Sequence, residues 1–533
     1  MTGSRSTAKD GLANQIEGLV TTRGGPIWGL INAIPPVHTA FNMLLTNVSI
    51  LRFPTRPNPL STMADYTSWD SLIDRTYSSR HLPPPAVPNP KLPDVEDLVA
   101  LFTRTAFVES PKSTVLFSCF AQWFTDQFLR SDRGHPDPSA ENGVKRDLRK
   151  NESNHEIDLT SLYGLRREVT LQLRTMQGGL LKSQPIDGEE YPPYMYENGK
   201  VKPEFSLLKI LELPTYKMTE DQRNKLFAMG GDTSNLQIGF VMHNVLFLRE
   251  HNRVARLLAV AYPAWDDERL YSTSRNILTV LLMKIVVEDY INHITPYHFK
   301  LTLEPKSFPN EAWYRQNWMS VEFQLLYRWH SLVPDVYKIA GADVPIEGTF
   351  SNTELVTSTG LGALFEDLSQ QAAGQVGMGN TPPILWPVEA VSIQQGRDVR
   401  LGSYNDYRAL AGFPRVTDFN QITGNATVRD GLRKLYDGDV DKIEFYPGLF
   451  AEEAPTNSVL PPLIGRLVGL DAFSQVYTNP LLASRIYNED TFSPLGMKII
   501  EDTKTLQDVV NRNTPTHVGR YFVSMTRKGW KRE

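Results

Sequence analysis

Apolar residues spaced three and four apart dominate the middle of this 533-residue chain. The pattern runs through "LLKILEL" from Leu207, "NVLFLREHNRVARLLAVA" from Asn244 and "RNILTVLLMKIVVEDYINHI" from Arg275. Such spacing lays one stripe along one face of a helix, whereas the period-two alternation of half-buried strands is rarely sustained here. The predicted fold class is therefore mainly α. Proline-rich stretches such as "RFPTRPNPLS" from Arg52 and "RHLPPPAVPNPKLP" from Arg80 mark extended connections. With 41% hydrophobic and 22% charged residues, a chain of this length buries a large core unaided. No internal repeat or long polar linker divides it. We therefore expect an N-terminal appendage over residues 1–51 and one large helical domain over 52–533.

A formal net charge of −5 provides no general basic field for a polyanion, and "RDLRK" from Arg146 reads as a solvated loop, so no nucleic-acid partner is expected. Cys119 is the sole cysteine, which excludes an intrachain disulfide, and "MTGSRSTAKDGLANQ" lacks a secretory apolar region. The expected location is intracellular and reducing.

The stretch from Pro26 to Leu51 carries no Asp, Glu, Lys or Arg across 26 positions. Its length suits a membrane span, but Pro35 and Pro36 split it into pieces too short to cross a bilayer. Upstream, Leu12, Ile16 and Leu19 share one helical face. Short amphipathic helices of this kind either lie in a membrane interface or pack on the protein's own core.

Two further segments carry chemistry. In "VEFQLLYRWHSLVPD", from Val321, a helix ended by Pro334 would place Phe323, Leu326, Tyr327 and His330 on one face. In "STVLFSCFAQWFTDQFLRS", from Ser113, Phe117, Ala121, Phe124 and Phe128 form an apolar stripe, with Gln122 and Asp126 four apart on a neighbouring face. That amide and carboxylate are either a surface strip or a polar pair aimed into a pocket.

"LLYRWHSLVPD" resembles the proximal-helix motif of the cyclooxygenase branch of the animal-type heme peroxidase superfamily. "DYTSWDS", "IDGEEYPP", "LFLREHNRVARLL", "SIQQGRDVRLGSYNDYR" and "EFYPGL" resemble segments of the same superfamily in the same order, from about residue 50 to 500. The resemblance implies a heme b enzyme with His330 as proximal iron ligand and Tyr327 as the site of a catalytic radical. Oxidised heme iron supplies the driving force to take an electron and a proton from a nearby phenol. The tyrosyl radical would then abstract hydrogen from an unsaturated fatty acid, and O2 would add to give a hydroperoxide. The alternative is a heme peroxidase oxidising small aromatic donors with hydrogen peroxide.

By the same resemblance, Arg52 matches the carboxylate-binding arginine of the substrate channel, with Arg56 as competitor, and Ser474 in "DAFSQV" matches the channel serine. Trp329 packs behind the radical site, and Thr359 replaces the tyrosine that partners the arginine. The position of the N-terminal helices favours membrane association on the cytoplasmic face of a bacterial-type relative, and a homodimer is expected. Above the heme the family places glutamine and, four residues later, histidine. Here Gln122 is followed by Asp126, whose free carboxyl titrates roughly 2.5 units below histidine and suits a peroxide proton shuttle less well. Asn154, Asp158 and Thr160 in "NHEIDLTSLYG" resemble the calcium loop of related peroxidases, the other reading being a polar turn.

Overall fold

Helices carry the architecture of the computed structural model, which describes residues 7–22, 24, 26–51, 73–86, 91–132, 134–139, 143–212, 216–314, 317–515 and 519–533. Among them, strands form only two-stranded pairs. Three N-terminal helices, α1 (Thr7–Thr21), α2 (Pro26–Ala33) and α3 (Pro35–Leu51), precede the main body. There α4 (Val115–Asp126), α5 (Ile238–Ala261) and α6 (Asp267–Ile285) pack in sequence, α5 touching both of the others. The ends are set locally: the Gln237 side chain accepts from the Gly239 amide before α5, and Asp266 accepts from the Arg269 amide before α6.

Helix α4 is nearly surrounded, because only Gln122 and Asp126 among its twelve residues escape burial. An antiparallel pair, Glu109–Thr114 with Ala372–Gly374, leads into it. Beyond α6 the helix widens into a π turn over Val286–Ile291, a distortion common at functional sites. It brings the Tyr290 ring against Phe117, Phe120 and Phe124 of α4, at centroid distances of 5.4, 5.3 and 6.0 Å.

The helix expected from Val321 to Pro334 is interrupted. Helix α7 covers only Val321–Leu326, capped by Ser320, and Tyr327 ends it at φ −95°, ψ 14°. Trp329 lies outside helical geometry at φ −86°, ψ 51°, and a 3-10 turn follows over His330–Leu332. Tertiary contacts outweigh the helical pattern here: Trp329 stacks on Tyr327 at 4.6 Å and on Phe117 of α4 at 5.9 Å. Tyr327 therefore ends one helical piece and His330 begins the next, so the two do not share one helical face.

Two later helices complete the frame, α8 (Trp386–Asp398) and α9 (Pro462–Tyr477). Helix α9 lies between α3 and α7, so it touches both the N-terminal helices and the segment that carries Tyr327. The N-terminal helices pack on the main body through one face. Asn42 donates to the Thr302 carbonyl at 2.8 Å, the Trp313 indole donates to Asn47 at 2.8 Å, and His38 stacks on Phe299 at 4.8 Å. Their other face is apolar and exposed, with Leu30 at 62% and Ile27 at 58% exposure. Among the described residues, no helix is long and apolar enough to cross a membrane.

Candidate active site

A cleft of about 1350 Å³ separates α4 from the 327–333 segment. Gln122 and Asp126 line one wall, and Tyr327, Arg328, Trp329 and His330 line the other. Gln122 and Asp126 thus face a pocket, as one of the two sequence readings had it. Asp126 is already engaged there: its Oδ2 accepts from Arg130 Nη1 at 2.9 Å and from Thr233 Oγ1 at 2.5 Å. Arg130 also pairs with Asp232.

The opposite wall holds four consecutive side chains whose polar atoms are buried without a hydrogen bond. These are the Tyr327 hydroxyl, Arg328 Nε, Trp329 Nε1 and His330 Nδ1. Orphaned buried polar atoms are costly unless a ligand completes them. His330 Nδ1 faces Glu389 Oε1 of α8 at 3.0 Å, outside hydrogen-bond alignment, and Glu389 is itself held by Thr381 Oγ1 at 2.8 Å and the Tyr446 hydroxyl at 2.5 Å. A carboxylate behind one imidazole nitrogen orients the ring and raises the basicity of the other as a metal ligand.

Tyr327 sits in an aromatic box. Phe323 meets it edge-on at 4.9 Å, Trp329 covers its face, and the Tyr290 hydroxyl lies beside its own. Burial, with a smaller contribution from the Asp471 carboxylate, pushes its phenol well above the usual range. The proton is thereby held on the oxygen, so any oxidation of the ring must release electron and proton together. Asp471 is buried on α9, accepting from His81 Nε2 and from Ser320 Oγ, each at 2.9 Å.

The donor set fits a heme: an imidazole backed by a carboxylate, a guanidinium suited to an anionic side group, and a cleft of adequate size. The model for the animal haem peroxidase family matches residues 119–522. The chain belongs to the animal haem peroxidase family. It is a heme oxidoreductase, similar to prostaglandin G/H synthase 1 of Rattus norvegicus, with 33% identity over 93% of this chain and 80% of the relative. Prostaglandin G/H synthase 2 of Oryctolagus cuniculus is 31% identical over 91% of this chain and 78% of that protein. The fold matches peroxidase A from Dictyostelium discoideum at TM-score 0.66, with 20% identity over 83% of this chain and 92% of that one. It also matches Oryza sativa fatty acid alpha-dioxygenase at TM-score 0.66, with 16% identity over 95% and 94%. The mainly α class and single-branch resemblance expected from the sequence agree with this membership.

Other expected residues fall away from the cleft. Arg52 and Arg56 lie outside the described residues. Ser474 is fully buried on α9, its hydroxyl donating back to the Leu470 carbonyl at 2.8 Å. Thr359 ends the helix Thr353–Thr359 and does not line the cleft. The calcium-like loop closes on itself, because Asp158 accepts from Asn154 Nδ2 at 2.6 Å and the Thr160 amide at 3.0 Å, with Arg275 at 3.8 Å. Thr160 Oγ1 donates to the Gln127 carbonyl. Among the described residues, no group of three or more metal-ligating side chains converges.

Sequence reasoning missed Glu389, Tyr290 and Asp471. For Glu389 a signal existed: Glu389, Ser392 and Gln395 recur at intervals of three and are all buried on α8. Buried polar residues in helical register mark a network.

Proposed function

We propose that the protein is a heme-dependent dioxygenase of unsaturated fatty acids that works through a radical on Tyr327. The observation that carries this reading is a buried, aromatic-boxed tyrosine three residues from the histidine that faces the same cleft. The named activities of its relatives, prostaglandin synthesis and fatty acid dioxygenation, support it.

His330 would hold the iron of heme b, backed by Glu389, and Arg328 would pair with an acidic side group. The bound group supplies the one-electron oxidising power, generated by peroxide. Tyr327 then acts alone on substrate. Its phenoxyl oxygen takes a hydrogen atom from a carbon of the acyl chain; the C–H bond breaks and the O–H bond forms. O2 adds to the carbon radical, and the peroxyl radical takes a hydrogen atom back from Tyr327, yielding the hydroperoxide and restoring the radical. Trp329, Phe323 and Tyr290 shield the ring from water and fix its orientation.

Calcium forms no part of this reading, since the Asp158 carboxylate already has protein donors. Association with a membrane surface does. Ile27, Leu30, Ile34, Val37 and Leu44 expose apolar area along the stretch from Pro26 to Leu51, which carries no Asp, Glu, Lys or Arg. A peroxidase oxidising small aromatic donors is the second reading, and the involvement of Asp126 with Arg130 and Thr233 weighs against its efficiency.

The test is Tyr327→Phe in heme-loaded protein. Heme content should be retained while oxygen uptake with linoleate disappears. Full oxygen uptake by this variant would exclude the radical site.

A further inference from the structure

Beneath α1 lies a second cavity, of about 1410 Å³, distinct from the cleft that His330 faces. Its apolar lining includes Ile291, Ile294, Val468 and Phe473, and Ile291 directly follows the Tyr290 that lies beside Tyr327. Charge enters the lining at two residues. Arg466 of α9, with only 8% of its side chain exposed, meets Glu17 of α1 at 2.6 Å. The guanidinium does not depend on Glu17 for its position, because Arg466 Nη1 donates to the Ala411 carbonyl at 2.7 Å and the group stacks over Phe413 at 3.6 Å.

A buried cation in the wall of a largely apolar cavity is the recognition chemistry of a long-chain carboxylate. We infer that Arg466 is a carboxylate-binding site for the fatty acid, occupied in the closed form by Glu17 as an intramolecular stand-in. The inference rests on the fatty acid reading of the protein and adds to it a recognition residue and a latch. The exchange is chemically even: leaving the guanidinium unpaired would be costly, but replacing one carboxylate by another keeps it neutralised. Glu17 suits the role of the displaced partner, since its side chain is 34% exposed and comes from a helix at the edge of the fold. Helix α9 carries both Arg466 and the Asp471 whose charge reaches Tyr327, five residues or about 7.5 Å of helical rise apart. One helix thus carries both the proposed anchor and the carboxylate whose charge reaches Tyr327.

The experiment measures equilibrium binding of oleate and, separately, oleyl alcohol to the full heme-loaded chain and to Arg466→Met and Glu17→Gln. Glu17→Gln should bind oleate at least threefold more tightly, since its internal competitor is gone. Arg466→Met should bind oleate at least tenfold more weakly and oleyl alcohol as the parent does. Should Arg466→Met fold poorly, Glu17→Gln decides alone, because the altered side chain is partly exposed. Equal oleate binding by the parent and Glu17→Gln overturns the latch, and equal binding by all three overturns the site. Because binding is read without turnover, oxygen uptake that persists alongside such equal binding would leave the oxygenase reading standing. Arg466-dependent oleate binding without oxygen uptake would support the site and count against the oxygenase.

Discussion

Asp126 lines the cleft with one carboxylate oxygen already committed. Its Oδ2 accepts two hydrogen bonds, one from a guanidinium, and these contacts would have to break before that oxygen could engage a distal ligand. Acid–base assistance is typically worth 10² to 10⁴ in rate, and histidine titrates near working pH. Asp126→His should therefore raise peroxide-dependent oxidation of an aromatic donor about tenfold, while Arg130 keeps Asp232 and the protein loses about 1–3 kcal/mol through the broken pair. Stopped-flow rates and thermal melts on the same preparation would show it. A lower melting temperature with no gain in rate would assign Asp126 to holding Arg130 alone. The sequence pointed to His330 and Tyr327 through the resemblance of "LLYRWHSLVPD" to a family motif, since spacing alone fits a core histidine as well. It hid the partners that tune them: Glu389 lies 59 positions from His330, and Glu17 lies 449 from Arg466. No periodicity reports contacts at such separation.

At the scale of elements, the helices with strong apolar periodicity, α5 and α6, formed as expected, whereas α7 stopped seven residues before the expected boundary at Val333. The difference is that α7 ends inside an aromatic cluster whose stacking fixes Tyr327 and Trp329 in non-helical geometry. The N-terminal helices pack on the body through one face and leave another apolar and exposed. That face can be tested without cutting the packed one. Ile27→Glu with Leu30→Glu alters two residues exposed at 58% and 62%. Each side chain would contribute up to about 1.5 kcal/mol if buried in the interface, so the double variant should partition onto lipid vesicles at least tenfold less, with an unchanged melting temperature. Equal partitioning would place the contact elsewhere.

The molecule as a whole is held together around buried neutral imidazoles, which makes its stability dependent on pH. Burial pushes His155, His243 and His251 down to about 4. Burial is what disfavours the charged ring; of their hydrogen bonds only the one His155 accepts from the Met319 amide requires a neutral nitrogen. His251 donates from Nε2 to the Gly179 carbonyl at 2.9 Å and pairs through Nδ1 with the Tyr163 hydroxyl at 2.8 Å. His155 accepts from the Met319 amide at 3.0 Å while donating to the Arg75 carbonyl at 2.7 Å. His243 donates to the Gly239 carbonyl at 2.7 Å and stacks on Trp123. In the unfolded chain each would titrate near 6.5, so between about 6.5 and 4 the unfolded state binds more protons. The stability these groups lend is full above 6.5 and is lost as pH falls toward 4, by up to about 3 kcal/mol for each. His293, pushed well below its usual value by burial, adds to the same trend, whereas Asp289, pushed up to about 6 by burial, and Asp158 and Glu288, also raised by burial, act in the opposite direction over this range. Lys112, pushed down to about 6 by burial, exerts its effect mainly above it. Denaturant unfolding at intervals from pH 7 to 4 should show stability falling steeply with acid. His243→Phe keeps an aromatic ring against Trp123 and removes one titrating site, so its profile should be shallower by about one proton and cross that of the parent as pH falls. Parallel profiles for the two proteins would mean that His243 is not among the groups that sense the acid.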